Sequence, residues 1–168
     1  MASGLKRTSA DFFVSAQVIE SAANTFTSAQ ITLPLNSLDR EVFVVTGIIL
    51  DPATPSIVPG TSCDSSLQLT RQVATAMIPL SEFNLIATST ETILSGAAEH
   101  SFFSKTYGNQ INESGQDYVD VVATPNMFLA CQGGNNVGPL TSSVRVYGYR
   151  ARADSAVYSA LIASELNA

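Results

Sequence analysis

The amino-acid sequence predicts an all-β domain, a sandwich of about eight antiparallel strands with a short C-terminal helix. Three observations lead there. Short runs with period-two alternation follow one another, clusters of Gly, Pro, Asn and Ser separate them, and a helical period appears only in the last stretch, Asp154 to Asn167. The length of 168 residues suits one domain, able to bury roughly two-thirds of its unfolded surface. Residues 1–10 read as a short polar arm and residues 11–168 as the sandwich with its helix at 154–167.

In chain order, Phe12 to Ile19 and Phe26 to Leu35 are the first strands, divided by Ser21-Ala22-Ala23-Asn24. In the second, Thr27, Ala29, Ile31, Leu33 and Leu35 share one face, and Pro34 limits its pairing. Glu41 to Leu50 is apolar on both faces, Val42, Val44 and Ile48 against Phe43, Val45 and Ile49. Its β-branched content and the Asp51-Pro52 stop favour a central strand covered on both sides. Asp51 to Asp64 then reads as a long surface loop, and Ser66 to Val73 alternates cleanly, Leu67, Leu69 and Val73 against polar partners.

Met77 to Leu80 and Leu85 to Ile93 are the next strand candidates, with a turn at Ser81 to Asn84. Gly96 to Gly115 reads as a polar, turn-rich loop around Phe102-Phe103. Tyr118 to Ala123 and Met127 to Gln132 follow, then a glycine-rich turn at Gln132 to Pro139. The last strand, Ser143 to Arg152, sets Arg145, Tyr147 and Tyr149 on one face and Val144, Val146 and Gly148 on the other. Asp154 caps a helix of about three turns. Val157, Ala160 and Leu161 form its first apolar side, and Tyr158, Ile162 and Leu166 form a second, which predicts contact with both the chain's own sandwich and a neighbouring subunit. Strands in this number and order make a jelly roll the leading architecture.

Composition narrows the function. Charged residues are only 13% of the chain, about half the usual share. Ser, Thr, Asn, Gln and Ala replace them, residues that can be buried against another protein without the cost of desolvating a charge. That composition suits a subunit with several neighbours. A net charge of −6 argues against strong nucleic-acid binding, which depends on clustered Lys and Arg. The segment from Met1 to Phe13 has no apolar core of a secretory signal, and no run is long and apolar enough to predict a transmembrane helix.

No motif points to catalysis. His100 is the single histidine, and the G-x-S-x-G of a nucleophile elbow is absent. Glu91, Glu99, Asp117 and Asp120 read as solvated carboxylates, and Gly133-Gly134-Asn135-Asn136 as a turn without the ending of a phosphate loop. Asn112-Glu113-Ser114 fits a glycosylation acceptor, relevant only on a secretory route. Cys63 and Cys131 read as two buried thiols. The Arg145, Tyr147 and Tyr149 face could stack on bases or sugars, with burial at a subunit contact as the favoured reading.

In its short polar arm, strand count, Ser/Thr-rich faces and closing TSSVRVYGYRARADSAVYSALIASELNA, the chain resembles single jelly-roll viral capsid proteins. The resemblance is one of architecture, so no functional residue is carried over. It implies a virion-located structural subunit, either a major coat protein or a minor vertex or cement subunit. Such a subunit assembles with copies of itself and other capsid subunits, uses no cofactor and is no enzyme. Candidate subunit contacts are Tyr147, Tyr149, Tyr158, Ile162 and Leu166. Unlike many such coat proteins the chain offers only Lys6 and Arg7 near its start, so genome packaging would fall to another agent. The alternative is a carbohydrate- or receptor-binding β-sandwich such as a virion attachment head, which would expose Tyr107, Tyr118 or Tyr149 beside acids in a groove. A cupin-type enzyme would need clustered histidines.

Overall fold

The computed structural model describes residues 4–96, 98–107 and 117–167, and within them the alternating runs become strands of two antiparallel sheets. The strands are β1 (Leu5–Arg7), β2 (Phe12–Ile19), β3 (Thr27–Thr32), β4 (Glu41–Asp51), β5 (Cys63–Thr70), β6 (Leu85–Ser95), β7 (His100–Tyr107), β8 (Asp120–Val122), β9 (Asn126–Gly134) and β10 (Thr141–Ala153). Among the described residues one α-helix, α1 (Ser155–Leu166), follows β10. One sheet runs β1-β10-β4-β8 with β2 also on β10, and the other runs β3-β9-β5-β6-β7.

Pairing is nested: β2 with β10, β3 with β9, β4 with β8, and β5 with β6, all antiparallel. A long ribbon of paired strands, wrapped so that successive pairs fall in alternate sheets, has this connectivity. It is the single jelly roll. Two strands lie outside the nested set. Leu5–Arg7, part of the segment read as a polar arm, lies along β10 as β1 and prolongs the edge begun by β2. His100–Tyr107, expected as loop, pairs with β6 as β7. Met77 to Leu80 is not a strand. The Asn112-Glu113-Ser114 pattern lies outside the described residues.

The main core lies between the sheets and includes Phe43, Val45, Ile48, Leu67, Leu69, Leu129 and Val146. In β4 the register shifts, Tyr147 facing Gly47 and Gly148 facing Val45, so Thr46 is an extra residue. This bulge reverses the alternation beyond it. Ile48 therefore joins Phe43 and Val45 inside, and Ile49 passes to the outer face at 37% exposure, the reverse of the simple alternation.

β5 also departs from its expected pattern, because Gln68 and Thr70 are buried along with Leu67 and Leu69. The connection to β6 covers that side. Gln68 donates from Nε2 to the Ala76 carbonyl at 3.1 Å and accepts at Oε1 from the Ile78 N–H at 2.9 Å. A glutamine side chain thus provides the partner that a neighbouring strand would otherwise supply.

A second cluster joins Val42, Val44, Val121, Ala123, Ala151 and Ala153 on the outer face of the β4 sheet to Val157, Tyr158, Leu161 and Ile162 of α1. The N–H of Val157 donates to Asp154 Oδ1 at 2.8 Å, which caps the helix start. Positions 157, 158, 161 and 162 make one stripe, so the helix turns a single apolar side to its own sheet. The expected pair of sides is corrected here: Tyr158 and Ile162 belong with Val157 and Leu161, while Ala160 and Leu166 are exposed.

Candidate functional site

Among the described residues, helix α1 covers only part of the outer face of the β10 sheet, and Phe13, Ser15, Gln17, Ile49 and Arg145 on the remainder are exposed. Directly opposed residues of antiparallel strands share a face. On the open part this gives the rows Phe13–Tyr147–Gly47, Ser15–Arg145–Ile49 and Gln17–Ser143–Asp51 across β2, β10 and β4. Gly47 adds no side chain beside Tyr147. An open depression of about 570 Å³ lies over these rows, lined by Ser15, Gln17, Ile49, Asp51, Ser143 and Arg145.

Aromatic rings and guanidinium groups stack along this face. Arg145 lies 4.8 Å over the Phe13 ring, Phe13 and Tyr147 are 6.0 Å apart between centroids, and Arg7 lies 4.4 Å over Tyr149. Such stacking holds long side chains in place before any partner arrives, which lowers the entropy cost of binding. Ser143 Oγ donates to Asp51 Oδ2 at 3.2 Å. Phe13 remains 53% exposed and Ile19 56%.

Of the residues read from the sequence as contacts, Tyr147 and Tyr149 lie on this face, half-buried. Tyr149, Tyr158 and Ile162 pack on the cluster beneath α1, and Leu166 is exposed at the end of the helix. Phe13 and Arg7 were not read from the sequence as contacts, Arg7 being noted only as a basic residue near the start. The signal for Phe13 was present in the Phe12-Phe13 pair, since alternation must turn one of two adjacent aromatics outward.

Other polar groups serve the fold. Glu20 accepts from the N–H groups of Gly133 at 2.6 Å and Leu140 at 2.8 Å, which binds the glycine-rich turn to the end of β2. Asp120, read as solvated, forms an ion pair with Arg71 at 2.7 Å. His100 lies in exposed β7, its Nδ1 2.9 Å from Ser95 Oγ. Cys63 and Cys131 are free and buried, and burial with the Glu20 carboxylate nearby pushes the Cys131 thiol up to about 11. Among the described residues no group of three or more His, Cys, Asp or Glu gathers to hold a metal ion, and no helix is long and apolar enough to cross a membrane.

Burial raises the carboxyl pKa of Asp64, and burial followed by the Asp51 charge raises that of Glu91. A raised carboxyl favours the folded state most below its unfolded pKa, and this contribution is lost as pH rises through the folded pKa. Glu91→Gln is therefore expected to melt higher than the parent at neutral pH, with the gap closing on acidification through the carboxylate range. Parallel melting curves from neutral pH downward check this; a gap that widens in acid contradicts it.

The architecture is that of a single jelly-roll β-sandwich. No known family model matches the chain, and no curated protein matches it. Among solved structures it is similar to apo chimpanzee polyomavirus VP1, at 6% identity and a TM-score of 0.43, covering 89% of this chain and 99% of that one. The fold assignment rests on the nested strand pairing alone.

Proposed function

We propose that the chain is a structural subunit of a viral capsid, a major coat protein or a minor vertex or cement subunit, that works by self-assembly. The observation that carries this reading is the open outer face of the β10 sheet. Phe13, Tyr147, Arg145 and Arg7 are stacked there among neutral Ser and Gln groups. Aromatic and Arg side chains are the residue types most enriched at contact centres, and neutral polar groups are cheaply desolvated around them. The low charge of the whole chain supports the same reading.

In this proposal residues 11–168 act as one domain, to which β1 adds from the first ten residues. Tyr147 and Leu166 meet neighbouring subunits directly, with Tyr149, Tyr158 and Ile162 at the margin of the helix. The partners are copies of the chain and other capsid subunits within a virion, without strong nucleic-acid binding, a cofactor or catalysis.

The test is electron microscopy and light scattering of the purified chain over a range of concentrations, with Phe13→Ser/Tyr147→Ser beside it. The parent is expected to assemble, and the folded double variant to lose association by roughly tenfold or more. A parent that stays monomeric throughout overturns the proposal. The depression between Arg145 and Asp51 favours the second reading, a carbohydrate- or receptor-binding module. Saturable glycan binding by a monomer, lost with Phe13→Ser, would establish it instead.

A further inference from the structure

Strand β2 forms a margin of its sheet and pairs with β10 alone. Natural edges are usually blunted by charges, proline, bulges or short length, and an edge without them is a template for another strand. The eight residues of β2, Phe12 to Ile19, contain no charge and no proline, and their register along β10 is unbroken. The N–H of Glu20 donates to the Leu140 carbonyl at 2.9 Å, which continues that register. Even-numbered residues of β2 therefore turn their backbone groups to β10, and Phe13, Ser15, Gln17 and Ile19 turn theirs outward. Among the described residues no backbone partner meets that outward row. The strands that flank residues 108–116, β7 and β8, lie at the opposite margins of the two sheets, and β1, which follows residues 1–3, lies at the Ala153 end of β10.

The core is incompletely covered at this margin. Phe12, Val14 and Ala16 pack against it yet are only partly buried, while Phe13 and Ile19 stand at 53% and 56% exposure on the outer face. The order of residues identifies the occupant as a second copy. Two antiparallel β2 strands related by a two-fold axis at Ala16 oppose Phe13 to Ile19 and Ser15 to Gln17 on the outer face, and Val14 to Val18 on the inner face. Apolar residues meet apolar ones, polar meets polar, and the small Ala16 meets itself on the axis. The same register sets the outward backbone groups of each copy opposite those of the other. Centring on Ser15 would instead set Ile19 against Asp11, and centring on Gln17 would set Phe13 against Ser21. We infer that β2 pairs antiparallel with β2 of a second copy, centred on Ala16, and joins two five-stranded sheets into one. Such a contact is isologous and closes as a dimer. The inference rests on the self-assembly reading and names one of its contacts, an edge that carries the Phe13–Tyr147 face across both copies.

The test uses thiols at exposed positions, because the native cysteines are buried. Opposed Cα atoms that exchange hydrogen bonds are about 5.5 Å apart, within disulfide reach, so a mixture of Ser15→Cys and Gln17→Cys chains should give covalent dimer under mild oxidation. Either variant alone should not, because its two thiol-bearing residues would lie about 9 Å apart between Cα atoms. In parallel, Gln17→Pro removes an N–H that points away from β10, so the folded variant should keep the parental circular dichroism and dimerise about tenfold or more weakly. Covalent dimer from one variant alone equal to that from the mixture, no covalent dimer from the folded mixture, or parental dimerisation of the folded Gln17→Pro chain overturns the inference. Electron microscopy of the same samples separates it from the capsid reading. Particles without the mixed cross-link would sink the β2 pairing alone, whereas the mixed cross-link in a chain that stops at a dimer would uphold the pairing and remove the capsid reading.

Discussion

Val45→Asp is expected to abolish folding. Val45 has no exposed surface and packs in the main core with Phe43 and Ile48. It is paired on both sides, to Gly148 of β10 and to Asp120 of β8. A buried carboxylate without a partner costs several kcal/mol, comparable with the roughly 5–15 kcal/mol that holds a domain together. The one acid opposite it cannot help, since Asp120 is itself ionic and already holds Arg71 at 2.7 Å. Val45→Ala separates loss of packing from the effect of charge. It removes about two methyl equivalents, so a destabilisation of about 2 kcal/mol and a melting point lower by roughly 4–8 °C are expected. Circular dichroism and thermal unfolding of the pair decide the matter. A soluble Val45→Asp protein with parental near-ultraviolet signal and a cooperative melt would contradict the assigned core.

What the sequence disclosed depended on whether burial left a period to read. β2, β3, β9 and β10 each have one face on the core, and their alternation located them within a few residues. β4 was legible as a central strand because both faces are apolar, but that same property concealed the bulge at Thr46. With hydrophobic groups on either side, nothing in the composition shows which side Ile48 takes. β7 was illegible for the opposite reason: its residues 100–105 are exposed on both faces, so Phe102-Phe103 looked like part of a loop. Met77 to Leu80 looked like a strand, yet the Gln68 amide holds that segment, a tertiary contact without a local trace. On the candidate face Tyr147 and Tyr149 were legible from alternation. The stacking of Phe13 on Arg145 and of Arg7 on Tyr149 depends on β1 and β2 lying along β10, a long-range pairing that no local pattern contains.

Glu165→Ala is expected to lower the melting point by roughly 5–15 °C, corresponding to about 2–5 kcal/mol. Glu165 sits in the last turn of α1 and is 1% exposed. Local electrostatics oppose a carboxylate there, because the carbonyl end of a helix already carries partial negative charge. Tertiary contacts reverse that preference: Glu165 accepts from the Ala123 N–H at 2.6 Å and the Thr124 N–H at 2.9 Å, just beyond β8. Alanine would improve helix propensity by a few tenths of a kcal/mol, while leaving two backbone donors without a partner at about 1–3 kcal/mol each. The second effect wins. Glutamine keeps one acceptor oxygen but turns an NH2 group toward the other donor, so the stability order expected is Glu, then Gln, then Ala. The loss should reach beyond the helix end, since a twelve-residue helix has little stability of its own and is held to the sheet by Val157, Tyr158, Leu161 and Ile162. Its release would uncover Val42, Val44, Ala151 and Ala153, turning a face with one limited open area into a broad apolar surface prone to indiscriminate association. Hydrogen exchange should then show faster exchange at the Ala123 and Thr124 amides, and light scattering should show irregular aggregates on mild warming. An unchanged melting point with both amides still protected would mean that the carboxylate does not anchor the helix.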